Sequence, residues 1–465
     1  MKRIGILTAG GDTPALNATI HGAVLRASQK RVEVFGFIKG FSSLFNPRVP
    51  HVKLNPLFAP IPELDMTKGG TIIGASRDYV NANDKVTLGE VVDRLRRLQI
   101  EGIICIGGDG TLSGMQCLSD FLPTVLAPKT IDNDLGLNYR HEPDEWAREP
   151  IKPATEGAAP GFRYIRNNAR VQFDVEHMVN YVTPGYATAV FVSASGVERI
   201  RTTAESHRRI AIIEVMGRHS GYLALGAAYG QPDIVLIPEV PLNVDRLVER
   251  VVEVYEVQKN CVIVCGEGIV DEQGRELGSE VASTDPAGNK VLSGAADALR
   301  QVLIERLGDS YFTTKRRNES ARAAIFTRKV GHTQRGGRPI YFDRFYGNLL
   351  GGHAIDLLLD GHANGVAVLQ WNRARGFHID GVNGNDFRDR YGIIHARQVH
   401  PSFYDRDWLR PSRVGIDYLL PIFNDAIGMD DLEAVRQRLF HPGNLTQPYH
   451  SVNVDINKRI CVLDG

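Results

Sequence analysis

The chain has 465 residues, with 54 Lys and Arg set against 54 Asp and Glu, and 43% of its residues are hydrophobic. That length allows about two to four domains, and the apolar share suffices for a sizeable core. Formal neutrality argues against nucleic acid or an anionic membrane as the main partner, while leaving room for a local basic pocket.

In chain order, short apolar runs at 4–8, 34–37, 102–106, 125–127, 210–215, 234–237 and 261–265 read as buried parallel strands. They are rich in β-branched residues and do not alternate, as expected when helices cover both faces of a sheet. Amphipathic stretches predict helices over 14–30, 88–98 and 245–257. In the first of these, Leu16, Ile20 and Val24 form one stripe, and Pro14 suits an opening turn. Strand–helix alternation argues for a doubly wound α/β protein. Two regions break the rhythm. Residues 135–180 are polar and interrupted by Pro143, Pro150, Pro153 and Pro160, which marks a functional or lid-like insertion. The tail from about 371 to 465 is polar, with a helical stretch near 430–439.

The basic-then-apolar start at residues 1–8 is too short for a signal segment and reads as a first strand. No stretch is long enough to span a membrane. The cysteines Cys105, Cys117, Cys261, Cys265 and Cys461 are odd in number and lack a CxxC pair. Free thiols in a cytoplasmic protein are expected, and a zinc site is not.

The chemistry gathers in loops after the strands. Gly107-Gly108-Asp109-Gly110-Thr111 puts a carboxylate at a strand end, with a helix behind it; Asp109 could hold Mg²⁺ beside phosphate oxygens. Thr130-Ile131-Asp132-Asn133-Asp134 follows the next strand and offers a carboxylate to take a hydroxyl proton. Ligands bind at such strand ends in open α/β sheets. Gly10-Gly11-Asp12 suits a phosphate at a helix start, and Gly69 to Arg77 ends a glycine turn in a guanidinium. Met216 to Tyr222, Gly266-Glu267-Gly268 and Gly331 to Gly337 suit an anionic sugar. Taken singly, each is also an ordinary turn. As a set they point to phosphoryl transfer to a hydroxyl.

The ordered segments GGDTPALNA, GGTIIGASR, GGDGT, PKTIDND, TTAESHRR, VMGRHSGYLAL, GEG and GHTQRGGRP resemble the phosphofructokinase family, over most of the chain up to about residue 372. The resemblance implies a two-lobed α/β subunit of Rossmann-like, parallel-rich sheets flanked by helices. Residues 1–145 with about 260–310 would form the phosphate-donor lobe. About 146–259 with about 311–370 would form the sugar-phosphate lobe, the 135–180 insertion included, and about 371–465 an extension. It also implies glycolytic phosphorylation of fructose 6-phosphate on its 1-hydroxyl, with Mg²⁺, in a homodimer or homotetramer.

Carried over by position, Asp132 would be the base, supported by Thr130 and Asp134. Asp109 would bind the metal. Gly11 would donate its N–H to the transferring phosphate and Arg77 would stabilise its charge. Gly108, Gly110, Thr111 and Gly114 would line the donor pocket, with Phe41 near the nucleotide base. Met216, Gly217, Arg218, Glu267, His332 and Arg335 would hold the sugar phosphate, and Arg209 would reach in from a neighbouring subunit. Departures matter too. Gly110 matches ATP users, whereas Lys129 matches pyrophosphate users; ATP is favoured. Phe326 stands where the family has a second inter-subunit arginine, with Arg328 two residues on as a replacement. His21 and Leu25 replace arginines of the bacterial effector site, so control in the bacterial manner is not expected. The insertion could alter acceptor choice, toward sedoheptulose 7-phosphate for example. Gly107–Thr111 alone would also fit a NAD kinase, but the later sugar-phosphate loops oppose it. A subunit without catalysis would be expected to lose Asp109 or Asp132, and both are present.

Overall fold

Two parallel-rich sheets, of eight and four strands, organise the chain. The structure is a computed structural model, and it describes residues 1–463 except 82, 152–160, 168–173, 279–293, 317–318, 425, 427–432 and 434–451.

The larger sheet runs Gly376–Asn383, Gly365–Asn372, Thr124–Pro128, Ile103–Gly107, Arg3–Ala9, Glu33–Phe37, His51–Lys53, and Ala75–Ser76 pairs beside the end of Arg3–Ala9. Its five inner strands are parallel, and the two outermost are antiparallel to their neighbours. Ile103–Gly107 and Thr124–Pro128 are buried at every position, because helices cover both faces. From Arg3–Ala9 the chain passes to Glu33–Phe37 on one side, then crosses to Ile103–Gly107 on the other. That reversal opens a crevice at the carboxyl ends of Arg3–Ala9 and Ile103–Gly107.

The smaller sheet is all parallel, in the order Ile234–Leu236, Cys261–Gly266, Ile210–Val215, Ile325–Lys329. It has its own reversal at Ile210–Val215. An antiparallel hairpin, Trp146–Ile151 with Gly161–Arg166, forms inside the insertion.

The helices begin where the sequence supplies caps. Asp84 accepts from the Thr87 amide ahead of Lys85–Arg97, and Asn243 accepts from the Arg246 amide ahead of Val244–Gln258. Leu16–Gln29 starts two residues after Pro14, without a side-chain cap, and buries Leu16, Ile20 and Val24. It packs tightly on Tyr341–Leu359. A Cβ on Gly22 would lie 1.8 Å from the Asn348 carbonyl oxygen, and one on Gly351 2.0 Å from the Thr19 carbonyl oxygen.

The lobe boundaries differ from expectation. Cys261–Gly266, expected in the donor lobe, pairs over six residues with Ile210–Val215 in the smaller sheet. Gly365–Asn372, at the end of the expected sugar lobe, pairs with Thr124–Pro128 in the larger one. The Tyr341–Leu359 helix carries the chain back there by packing on Leu16–Gln29, so the larger sheet is built from both ends of the sequence. The tail continues as Gly376–Asn383 and then the helix Arg413–Phe423, capped by Ser412. Apart from 433, the helix expected near 430–439 lies outside the described residues.

Candidate active site

The donor side forms at the larger sheet's crevice. Gly10 has φ of 81°, a left-handed conformation that lets the chain turn out of the Arg3–Ala9 strand. Gly11 follows, and its carbonyl accepts from the Lys129 ammonium. Asn17 secures the second glycine turn: its Nδ2 donates to the Lys68 and Gly69 carbonyls at 3.2 and 3.3 Å, and its Oδ1 accepts from the Ile72 amide at 2.9 Å. That turn leads to Arg77, whose charge falls on Lys129. Asp109 opens the helix Asp109–Ser119, where the dipole favours an anion, and Oδ1 accepts from the Gly110 amide at 2.7 Å. Burial and the Asp134 carboxylate push its carboxyl up to about 6.

Lys129 is buried, and burial lowers its ammonium to about 7 against the pull of Asp12. Burial raises Asp12, opposed by Lys129 and Arg335. Lys129 thus places a buried cation beside Gly11, suited to phosphate oxygens, with Asp12 exposed on the same turn.

The loop that carries Asp132 follows the Thr124–Pro128 strand. The Asp132 amide donates to Thr130 Oγ1 at 3.1 Å, a local turn that a threonine favours. Burial, then Asp134, push Asp132 up to about 7, with Glu267 and Asp109 adding and Arg335 opposing. One oxygen each of Asp132 and Asp134 is buried without a hydrogen-bond partner. Arg335 Nη2 lies 3.9 Å from the other Asp132 oxygen, and Arg335 Nη1 lies 3.5 Å from the Asp12 carbonyl. A Cβ on Gly11 would lie 2.7 Å from that Nη1, so a larger residue there would displace the guanidinium. Arg335 therefore spans the donor turn and the carboxylate that the sequence marks as base.

The smaller sheet supplies the facing loops. Gly217 has φ of 117°, and a Cβ there would lie 2.6 Å from the Ser220 carbonyl oxygen. The Arg218 carbonyl oxygen would lie 1.7 Å from a Cβ on Gly268, which brings the Arg218 and Glu267 loops together. Glu267 is 8% exposed, and burial raises its carboxyl, opposed by Lys329, Arg335 and Arg218. Gln334 is fully buried; it accepts from the Met216 amide at 2.9 Å and donates to Ser193 at 2.8 Å. The two sheets meet through glycines: a Cβ on Gly69 would lie 1.9 Å from the Gly337 carbonyl oxygen.

A family model described as Phosphofructokinase matches residues 3–139 and 174–358. The chain belongs to the phosphofructokinase family. It is an enzyme, a phosphotransferase with an alcohol acceptor. Two relatives carry different donor names. An "ATP-dependent 6-phosphofructokinase" of Natranaerobius thermophilus is 31% identical over 78% of this chain and 88% of its own length. A "Pyrophosphate--fructose 6-phosphate 1-phosphotransferase" of Amycolatopsis methanolica is 32% identical over 79% of this chain and 90% of its own. The fold is shared with a solved pyrophosphate-dependent phosphofructokinase from Marinobacter aquaeolei: TM-score 0.66, 17% identity, 92% of each chain covered.

Within this phosphofructokinase chain the expected residues divide. Gly11, Arg77, Asp109, Gly110, Thr111, Lys129, Thr130, Asp132 and Asp134 gather at the larger sheet's crevice, with Gly108 capping the Asp109–Ser119 helix. Met216, Gly217, Arg218, Glu267, His332 and Arg335 occupy loops at the carboxyl ends of the smaller sheet. Phe41 is a correction. It is fully buried in the core beneath the sheet, so its ring presents no face to a nucleotide base. Gly114 is also buried, and a Cβ there would lie 2.5 Å from Tyr79 Cβ; it lets that loop approach. Arg209 stands at the opposite end of Ile210–Val215 from Met216, out of reach of its own subunit's site. Arg328 is exposed on the Ile325–Lys329 strand, 5.8 Å from the Phe326 ring centroid. The described residues include no helix long and apolar enough to cross a membrane.

Asn17, Gln334 and Thr183 were not assigned roles from sequence. The first two lie inside the quoted motifs. Thr183, whose hydroxyl donates to the Thr130 carbonyl at 2.8 Å, lies outside them, and only the fold brings it to the loop.

Proposed function

We propose that the chain transfers a phosphoryl group from ATP to the 1-hydroxyl of fructose 6-phosphate, giving fructose 1,6-bisphosphate. The observation that carries this reading is the Asp132 carboxylate, with one oxygen buried and unpartnered and Arg335 3.9 Å from the other. A hydroxyl donating to that oxygen would lose its proton to Asp132 as the phosphorus–oxygen bond forms. Thr130 and Asp134 hold the loop and its field. The Gly11 N–H, Arg77 and Arg335 would stabilise charge on the transferring group, the main lever in this chemistry. Met216, Gly217, Arg218, Glu267 and His332 would orient the sugar, and Arg209 of a neighbouring subunit, with Arg328, its 6-phosphate. The working unit is then a homodimer or homotetramer, and the expected compartment is the cytoplasm.

Asp109, with Asp134 nearby, fits Mg²⁺: the two carboxylates act on each other, and one Asp134 oxygen is buried and unmatched. Among the described residues, no three His, Cys, Asp or Glu are arranged to hold a metal unaided. Mg²⁺ commonly uses one or two carboxylates and completes its shell with phosphates and water. When bound, it would neutralise charge on the donor phosphates.

ATP is favoured because Gly110 leaves open space: nothing lies within 4 Å of a Cβ built there. The pyrophosphate reading is kept for Lys129, whose ammonium reaches Gly11 and could hold a short donor. Aldolase-coupled turnover with Mg²⁺ and equal ATP or pyrophosphate decides. ATP alone supporting turnover upholds the proposal; pyrophosphate alone supporting it replaces the donor. No turnover with either would reject fructose 6-phosphate and move attention to a larger sugar phosphate.

A further inference from the structure

We propose that the C-terminal extension positions the catalytic base: Arg397 and Tyr418 hold the Asn133 peptide and thereby aim Asp132. The inference rests on the reading of Asp132 as that base.

Asn133 sits between Asp132 and Asp134 with φ of 54°, a left-handed conformation that asparagine tolerates but does not hold unaided. Its carbonyl and both polar atoms of its side chain are held. Its carbonyl accepts from Arg397 Nε at 3.2 Å and Nη2 at 2.8 Å, across 264 residues of sequence. Its Nδ2 donates to the Tyr418 hydroxyl at 2.7 Å. Its Oδ1 accepts from the Thr183 amide at 2.9 Å and hydroxyl at 3.1 Å. The next carbonyl, that of Asp134, accepts from the Arg397 amide at 2.6 Å.

Arg397 is 2% exposed, and its remaining donors go to the Asn180 carbonyl at 2.7 Å and the Tyr181 carbonyl at 3.3 Å. Its guanidinium lies 5.0 Å from the Tyr222 ring centroid, on the loop that carries Arg218. A planar fork can hold several carbonyls at once in a way that an ammonium cannot. Gly136 admits it, since a Cβ there would lie 2.5 Å from Nη1. Tyr418 is fully buried and stacked on Phe403 at 4.9 Å, so its hydroxyl is fixed. Rotation of the Asn133 peptide would swing Asp132 away from Arg335. A shift of about 1 Å can cost about 10²-fold in rate.

The test compares Tyr418→Phe, Arg397→Lys and Gly136→Ala with the parent enzyme. The readouts are kcat per folded site, both Michaelis constants, and amide exchange across residues 130–137. Expected in Tyr418→Phe, with the ring stack kept, is a kcat loss of about tenfold with Michaelis constants within about twofold. Arg397→Lys and Gly136→Ala should lose more, about 10²-fold. All three should exchange amides faster at 130–137. A tail that only stabilises the fold would lower the melting point and leave kcat per folded site and loop exchange unchanged; that result overturns the proposal. If the parent enzyme turns over with neither donor, the functional reading fails, and loop exchange in the same variants still decides whether the clamp exists.

Discussion

Burial and the carboxylates of Asp134, Glu267 and Asp109 push Asp132 up to about 7, while Arg335 pulls it down. On the proposed role of Asp132 as base it must be ionised, so kcat/KM should rise with pH up to about 7 and then flatten, measured at saturating donor. A profile flat down to about pH 5 would contradict that environment. Stability should run the other way. Unfolded, an aspartate titrates near about 3.9; folded, Asp132 titrates near about 7, so between these values the folded state holds the extra proton. Folding is therefore penalised as pH rises through that window. Asp132→Asn should melt above the parent near about pH 8, and the gap should close toward about pH 4. At this scale the position of the site loops at strand ends was legible, because they follow apolar runs as a set, although each glycine–acid turn taken singly is an ordinary turn. Phe41 was not: an aromatic after a glycine reads the same whether it faces a ligand or the core. Arg397 offered no local signal, since its acceptors are backbone carbonyls distant in sequence.

The strand runs were readable because continuous β-branched segments fit sheets covered on both faces. The long helices Tyr186–His207 and Tyr341–Leu359 were not among the expected elements. Both mix small, β-branched and aromatic residues, which blurs a helical stripe. Glycines are packing devices where Tyr341–Leu359 crosses Leu16–Gln29. Gly22→Ala should destabilise the protein by about 1–3 kcal/mol, as its methyl meets the Asn348 carbonyl. Gly89→Ala lies on an exposed helix face with nothing within 4 Å of its Cβ, and should stabilise by about 1 kcal/mol. Urea midpoints of the two variants should move in opposite directions; a shared direction would refute the close helix crossing. Lobe membership was misjudged for 261–266 and 365–372 because strand pairing between distant segments leaves no local trace.

Across the whole molecule, loops from both sheets face one another over the Gly69–Gly337 contact, and the tail ties the base loop to the Tyr222 loop. Arg209 is the exception, pointing from the far end of its strand toward whatever packs there. If it serves a neighbouring subunit's site, Asp132→Ser and Arg209→Ser should complement. Mixed after dissociation and reassembly, two nearly inactive proteins should regain about a quarter of parent activity, because random symmetric pairs rebuild one intact site in half of the dimers. Activity no higher than the two separate proteins would place Arg209 outside the chemistry. The sequence could suggest this arrangement only through resemblance, since nothing in one chain's own pattern encodes which surface meets a second copy.

The most direct test of the central claim is single-site removal of the base. Asp132→Ser should bind fructose 6-phosphate, by calorimetry, within about threefold of the parent while kcat falls about 10³-fold. Turnover within about tenfold of the parent would show that another group takes the proton.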